Sequence, residues 1–357
     1  MIKLLFIILF DASFFKELIG SEKSDYLNVV FRVNFFPNSR LEYKKHMNRI
    51  LTIDKAYYNV KSLEINCSIS KLKHPAKTVH ELKPNDIKII AALGDSITTA
   101  AAARAEKARN LVLEYSSISW SIGGQPDAIT LPNLIKKFNP NLIGYSKKDT
   151  FWIFRNEIGY NLAMAGAKSK DLLLQARSLV KKLKRYENEW KLITIMIGGN
   201  DLCKYCENKK KFSAENYLKN LKDSLDLLHK ELPKTFVNLV NTPNVIEFEN
   251  LDVDSLCKEF HLAVCPCMSS HNKNKTEIND LFLKYSNYTE QLTMSGRYDT
   301  RNDFTVVYQP FYRDFKLPRL PDNSVDISYF APDCFHFSLK SHGIINNKYF
   351  YYFFCSY

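Results

Sequence analysis

The stretch Ile87-Lys-Ile-Ile-Ala-Ala-Leu-Gly-Asp-Ser96 decides the fold. Its apolar run, residues 87–93, is typical of a buried strand, and a tight Gly-Asp-Ser turn follows it directly. We expect Ser96 to stand at the carboxyl edge of a sheet, where open α/β sheets place their active sites. Gly-Asp-Ser alone is most often an ordinary turn, so the interpretation needs support from elsewhere in the chain.

Two later blocks supply that support. Gly198-Gly-Asn-Asp201 follows a second apolar run at 192–197, and Asp333-Cys-Phe-His336 places a carboxylate and an imidazole within one turn. A serine hydroxyl is a poor nucleophile unless a base takes its proton and a carboxylate orients that base. Each block alone has an ordinary interpretation, as a turn or a surface pair. Their order and their positions after strand-like runs together favour a serine esterase.

The remaining pattern alternates between helix and strand. Apolar residues at helical spacing predict helices over residues 168–183 and 217–232, and short apolar runs predict strands over 236–240 and 304–308. Such alternation predicts an α/β fold, a three-layer sandwich in which helices cover a central parallel sheet. The length of 357 residues and the apolar content of 45% suit one large domain.

These blocks resemble the GDSL or SGNH hydrolases, whose four blocks are named for Ser, Gly, Asn and His. The second block is Gly159-Tyr-Asn-Leu-Ala-Met-Ala-Gly166. The resemblance implies the flavodoxin-like SGNH-hydrolase fold, with Ser96 as nucleophile and with Asp333 and His336 completing the triad. It also implies an oxyanion hole formed by the backbone N–H groups of Ser96 and Gly166 and by the side chain of Asn200.

Longer stretches resemble the phospholipase B branch of that family, and the similarity covers roughly residues 60–345. They are residues 79–96, 119–124, 130–140, 190–203 and 333–338. The resemblance implies cleavage of fatty acyl esters in phospholipids and lysophospholipids, with no metal and no cofactor. Two alternatives remain open: a general lipase or carboxylesterase acting on neutral esters, and an inactive secreted homologue that only binds lipid.

Segment composition predicts four parts of the chain. Residues 1–20 are predicted to be a signal peptide, because Lys3 precedes a seven-residue apolar run that is too short to span a bilayer but long enough for the apolar part of a signal. A buried N-terminal strand or helix is the alternative, since no clean cleavage site follows the run. Residues 21–75 form a lead-in, without clear periodicity, that packs on the hydrolase domain of residues 76–345. Residues 346–357 form an atypical aromatic tail, and we expect the family's closing helix to be lost after Gly343. No transmembrane anchor is evident, and the protein is expected to be secreted.

Eight cysteines accompany the predicted signal. Thiolates spaced as in Cys203-x-x-Cys206 can bind zinc, but in an oxidising compartment disulfides are more common. One inference is that Cys203 and Cys206 bridge to the cluster at 257–267, although the sequence leaves the connectivity open, and Cys355 is a candidate odd thiol. The candidate disulfide cysteines are Cys67, Cys203, Cys206, Cys257, Cys265, Cys267 and Cys334. Asn66, Asn274 and Asn287 begin glycosylation sequons.

The net charge of +12 is spread along the whole chain. No basic stripe is concentrated in one block, which argues against a nucleic-acid partner. A basic face could favour peripheral contact with anionic lipid surfaces, although a simply solvated basic surface is the more ordinary explanation. The sequence does not indicate an oligomeric state.

Overall fold

A four-stranded parallel sheet lies at the centre of the computed structural model, which describes residues 21–55, 75–151, 158–251, 254–268 and 275–350. The strands are β1 (Ile87–Gly94), β2 (Leu113–Glu114), β3 (Thr150–Phe151), β4 (Trp190–Met196), β5 (Thr235–Val240) and β6 (Phe304–Gln309). The sheet order is β1-β4-β5-β6, and the four apolar runs of the sequence supply its strands. A separate antiparallel pair is formed by β2 and β3. The predicted α/β class and central parallel sheet are confirmed.

Helices cover the sheet, as the alternation predicted. The predicted helix over 168–183 begins later, because residues Ser169–Asp171 form a 3₁₀ turn before the α-helix. The helices are α1 (Ser21–Phe35), α2 (Pro37–Ile53), α3 (Ser96–Thr99), α4 (Leu131–Lys136), α5 (Leu172–Leu183), α6 (Gly199–Cys203), α7 (Ala214–Glu231), α8 (Ser255–Val264), α9 (Lys275–Met294) and α10 (Leu339–Phe350). The predicted helix over 217–232 is confirmed as α7.

Strand register brings the chemically interesting blocks to one edge. Gly94 at the end of β1 lies opposite Met196 at the end of β4, and Met196 lies opposite Val240 of β5. On the other side of β1, Ala92 forms an isolated parallel bridge with Asn161. The second block (residues 159–166) therefore lies on one side of the end of β1, and the third block (residues 198–201), which follows β4, lies on the other side.

The N-terminal segment forms a helical hairpin from α1 and α2. Val33 and Ile50 are almost completely buried, and Pro37 occupies the first turn of α2, where its missing N–H costs nothing. The hairpin shares a second hydrophobic cluster with α8 and with the alanines that follow Ser96. The apolar residues of this segment show only weak helical periodicity, so the sequence did not predict its two helices. Their buried residues face a small cluster and not the main sheet.

The C-terminal segment corrects one expectation. We expected the closing helix to be lost after Gly343, but α10 continues through Phe350, and both His342 and Asn346 are fully buried in it. Aromatic residues have only a modest cost in a helix, and no proline interrupts this stretch, so the unusual composition does not break the backbone pattern. The last residues, 351–357, lie outside the described ranges.

Several predicted features fall on residues that the structure does not describe. These are the signal peptide at 1–20, the sequons at Asn66 and Asn274, and the cysteines Cys67 and Cys355. Asn287 is exposed on α9, and its side-chain oxygen accepts a hydrogen bond from Arg313. Within the described ranges, none of the helices has the length and apolar content needed to cross a bilayer.

Candidate active site

The end of β1 is held in a backbone conformation that requires glycine. Gly94 has a φ of +149°, and a Cβ at this position would lie 2.3 Å from the carbonyl oxygen of Met196. The side chain of Gln175 on α5 pairs with both backbone groups of Gly94, donating to its oxygen and accepting from its N–H, each at 2.8 Å. These two bonds therefore hold the backbone of Gly94 in place, directly before the turn that carries Ser96.

Asp95 and Ser96 begin the short helix α3. The carboxylate of Asp95 accepts the Ile97 N–H at 3.0 Å, which caps this turn. Burial raises the pKa of Asp95 to about 7, despite the hydrogen bond from Ile97 that favours the charged form. Ser96 is 5% exposed, so its hydroxyl lies at a nearly closed surface.

The second and third blocks are joined by a side-chain hydrogen bond. The amide nitrogen of Asn200, on α6, donates to the carbonyl oxygen of Ala167 at 3.0 Å. An amide nitrogen carries two hydrogens, so Asn200 has a second N–H for another acceptor. Gly166, directly before Ala167, has a φ of +77°, a region that glycine adopts without strain.

Asp201 fixes the start of α5 from the neighbouring block. Its two carboxylate oxygens accept the backbone N–H of Ser169 at 2.8 Å and the Ser169 hydroxyl at 2.6 Å. Burial raises the pKa of Asp201 to about 6, although the bonds from Ser169 oppose that change. Asp201 therefore fixes the backbone three residues after Gly166 through its bonds to Ser169.

Asp333 and His336 form a closed pair. Asp333 is fully buried, and its Oδ2 accepts from His336 Nδ1 at 2.5 Å. Its Oδ1 accepts the backbone N–H groups of His336 at 3.0 Å and Phe335 at 3.2 Å. Burial alone would raise the pKa of Asp333, but the charge of His336 and these hydrogen bonds outweigh it and lower the pKa. Asp333 is thus an anion that can orient the imidazole.

A backbone hydrogen bond links the segment of His336 to the segment that follows Ser96. Three residues after His336, the Leu339 N–H donates to the carbonyl oxygen of Ala103 at 3.0 Å, which ties the two segments together. The charge of His336 also acts on Asp95, the neighbour of Ser96. Within the described residues, no hydrogen bond joins the Ser96 hydroxyl to His336. Catalytic hydrogen bonds commonly tighten only when substrate is bound.

Several supports of Asp333 are not visible in the sequence. Tyr26 on α1 donates to Asp333 Oδ2 at 3.0 Å across 307 residues of chain. His261 Nε2 donates to the carbonyl oxygen of Cys334 at 2.8 Å, and burial lowers the pKa of His261, which keeps it neutral. A disulfide joins Cys257 to Cys334. No local pattern signals these contacts, since each partner comes from a distant helix.

Two further disulfides tie the third block to the cluster after α8. Cys203 is bonded to Cys265 and Cys206 to Cys267, which are pairings of the kind inferred from the sequence. Because these four cysteines are paired in disulfides, they cannot bind zinc as thiolates. His46, Cys257 and Cys334 also lie close together, but the two sulfurs are joined in a disulfide and are not thiolate ligands.

A cavity of about 710 Å³ opens beside the second block. Its wall includes Gly166 and the apolar side chains of Leu162, Met164 and Leu174. Met164 and Leu174 are 45% and 63% exposed, so this part of the wall is open to solvent. Ser96 and His336 do not line this space, so it flanks the reacting groups and does not contain them.

Comparison with known proteins identifies the family of this chain. The family model for the GDSL-like lipase/acylhydrolase matches residues 90–348. The chain belongs to this family. Members of this family are named for lipase and acylhydrolase activity. The chain is 42% identical over 286 residues to "Phospholipase B1, membrane-associated" of Mus musculus, and 40% identical over 295 residues to the protein of that name in Homo sapiens.

Those matches cover 74% and 76% of this chain, and 19% and 20% of the respective relatives. The chain thus spans about a fifth of the length of the curated relatives it matches. Among solved structures, a GDSL-like lipase from Parabacteroides merdae is 16% identical, with a TM-score of 0.42, over 74% of this chain and 94% of that one. An acetylxylan esterase from Geobacillus stearothermophilus is 15% identical, with a TM-score of 0.40, over 74% and 92%.

Proposed function

We propose that the protein is a secreted, serine-dependent acyl ester hydrolase of phospholipase B type that releases fatty acids from phospholipids and lysophospholipids. The observation that carries the proposal is the buried pair of Asp333 and His336, closed at 2.5 Å, in a chain that places Ser96 directly after the end of β1. The relatives named phospholipase B1 support the substrate class. The three disulfides found among the described residues support an oxidising compartment.

Acylation would begin with Ser96. His336 takes the hydroxyl proton at Nε2 while Ser96 Oγ attacks the ester carbonyl carbon, and Asp333 stabilises the imidazolium through Nδ1. The tetrahedral intermediate then collapses. The bond to the leaving alcohol or lysolipid breaks, and His336 returns the proton to that oxygen, which leaves an acyl group on Ser96.

The oxyanion would be stabilised by three donors. The backbone N–H groups of Ser96 and Gly166 and the second N–H of Asn200 are those available, since the first N–H of Asn200 is donated to Ala167. Donors aimed at the developing negative charge stabilise the transition state more than the ground state. Fixing Asn200 on Ala167 orients its amide before substrate arrives.

Deacylation repeats the same proton transfers with water. His336 takes a proton from water, the hydroxyl attacks the acyl carbon, and the fatty acid leaves as Ser96 recovers its proton. The apolar cavity beside Gly166 is within the size range of ligand pockets and is a candidate position for the acyl chain. The net charge of +12 would favour peripheral contact with anionic lipid surfaces.

The test is release of fatty acid by the purified protein in the presence of chelator. The substrates are phosphatidylcholine, lysophosphatidylcholine and a short-chain neutral ester, each offered to wild type and to Ser96→Ala. We expect release from both phospholipids by wild type only. Ser224→Ala is the matched control, because its hydroxyl donates within α7 to the Asn220 carbonyl and its loss should leave the rate unchanged.

Each other result selects a different function. Release from the neutral ester alone would indicate a general lipase or carboxylesterase. Folded wild type that binds lipid vesicles but releases nothing would indicate a homologue that binds lipid without cleaving it. Equal release by wild type and Ser96→Ala would contradict the role of Ser96.

A further inference from the structure

The contact between Tyr26 and Asp333 joins the N-terminal hairpin to the proposed triad. The Tyr26 hydroxyl lies 3.0 Å from Asp333 Oδ2 and 3.1 Å from the carbonyl oxygen of Leu111. A hydroxyl has one proton to donate, and a carboxylate is the stronger acceptor. The Tyr26 proton is therefore directed to Asp333.

The oxygen that Tyr26 contacts is the one that orients the imidazole. Oδ2 of Asp333 also accepts from His336 Nδ1, whereas Oδ1 is held by backbone N–H groups. Burial, together with the negative charge of Asp333, raises the pKa of Tyr26 well above its usual value. Tyr26 stays protonated and acts as a donor, which limits rotation of the carboxylate about its Cβ–Cγ bond.

The ring of Tyr26 is held as firmly as its hydroxyl. It packs on Phe260 of α8 with the ring centroids 5.4 Å apart, and it meets the His336 ring edge-on at 6.3 Å. Arg32 on the next turns of α1 forms an ion pair with Glu259 of α8. Since α8 also carries Cys257, which is bonded to Cys334, the hairpin and the turn of Asp333 share one support.

We propose that Tyr26, contributed by the helical hairpin of residues 21–53, is a positioning residue of the active site. The hairpin lies outside residues 90–348, which the family model matches, so this assignment adds a residue N-terminal to the matched range. The proposal rests on the proposed function in that it treats Asp333 and His336 as the orienting acid and the base.

Tyr26→Phe tests this role, because phenylalanine keeps the ring against Phe260 and removes only the hydroxyl. We expect kcat on lysophosphatidylcholine to fall about 10-fold with KM unchanged, the effect of losing one hydrogen bond to a charged group. We also expect the Nδ1 proton of His336 to broaden in the NMR spectrum and to exchange faster with water, because the pair opens more often. This second measurement does not depend on substrate.

Val33→Ala is the matched control, since Val33 is 1% exposed on the same helix and its loss weakens hairpin packing without touching Asp333. We expect a lower melting temperature with kcat and the His336 proton as in wild type. Wild-type kcat and a sharp proton in Tyr26→Phe would overturn the proposal, as would equal losses in Val33→Ala. If wild type cleaves no ester, the proposed function fails, and the proton measurement still decides the role of Tyr26.

Discussion

The two halves of the candidate site rest on different supports. Ser96, Gly166 and Asn200, the nucleophile half, follow the ends of parallel strands or their immediate neighbours and lie on the large core beneath the sheet. Asp333 and His336, the base half, lie on a turn that α1 and α8 hold through Tyr26, Cys257 and His261. Those two helices belong to the second, smaller hydrophobic cluster, while Phe335 and Phe337 of the turn itself pack in the large core.

This difference means that the two halves can be perturbed separately. A parallel sheet is hydrogen-bonded continuously from strand to strand, so a change at one strand end is resisted by the whole layer. The base half depends on a few individual contacts, each of which can be removed by one substitution. We expect variants of the base half to change activity while the sheet stays intact.

Asp333→Asn should have the largest effect. The amide cannot stabilise the imidazolium, and in a comparable serine triad the same change lowers kcat about 10⁴-fold. We expect a loss on that order in steady-state hydrolysis of lysophosphatidylcholine, with an unchanged far-UV circular dichroism spectrum. A loss smaller than about 10-fold would indicate that Asp333 does not orient the base.

Asn200→Ala should have the next largest effect, because it removes a donor from the nucleophile half. Loss of one oxyanion donor typically costs about 3 kcal/mol, or 10²-fold or more in kcat. Asn220→Ala is a matched control, since Asn220 donates to the Ser169 hydroxyl at 2.9 Å behind the second block. We expect a change of less than about 3-fold for the control, so equal losses would place Asn200 among the structural residues.

A comparison of two disulfides separates stability from activity. Cys257–Cys334 and Cys206–Cys267 close loops of similar length, 77 and 61 residues, so removing either should cost about 4 kcal/mol by loop entropy. Only the first is attached to the turn of Asp333. We expect Cys257→Ala/Cys334→Ala to lower kcat about 10-fold and Cys206→Ala/Cys267→Ala to leave it near wild type.

Thermal melts and initial rates would be measured together for both double variants, below their melting temperatures. Equal losses of kcat would mean that the base half has no separate support. Equal losses of stability with unequal losses of kcat would sharpen the distinction between the two halves.

The nucleophile half was largely predictable from the sequence, and the support of the base half was not. Local composition predicts strand runs such as 87–93 and 236–240. Parallel strands bring the residues that follow them to one edge of the sheet. The prediction of α5 and α7 used the same local periodicity. These features need no information about distant contacts.

The contacts around Asp333 depend on tertiary structure instead. Tyr26 lies 307 residues away, in a segment whose buried side chains are too few to produce a strong pattern. The aromatic composition after Gly343 predicts the loss of a closing helix, and this prediction is wrong because no helix breaker interrupts α10. Local sequence predicts where helices and strands form. It does not predict which distant helix packs against a given turn.

The smallest expected effect concerns how the stability of the two halves depends on pH. Burial raises the pKa of Asp95, in the nucleophile half, to about 7, whereas burial lowers the pKa of His342, on α10 behind the base half, to about 3. An acid with a raised pKa binds its proton more tightly when folded, so its contribution is lost as pH rises from about 4 to about 7. A histidine with a lowered pKa binds its proton less tightly when folded, so stability is lost as pH falls from about 6.5 to about 3.

Asp95→Asn isolates the first of these contributions, because the amide oxygen can still accept the Ile97 N–H while the charge is gone. We expect the unfolding free energy of the variant, relative to wild type, to rise with pH between about 4 and about 7, with a slope of at most about 1.4 kcal/mol per pH unit, and then to level off. Urea unfolding at half-unit pH intervals measures this difference in unfolding free energy.

His342→Asn should show the opposite pH dependence. The variant should become more stable relative to wild type as pH falls below about 6.5. If both variants follow the wild-type curve at a constant offset, neither buried group titrates differently on folding, and the electrostatic contrast between the two halves is refuted.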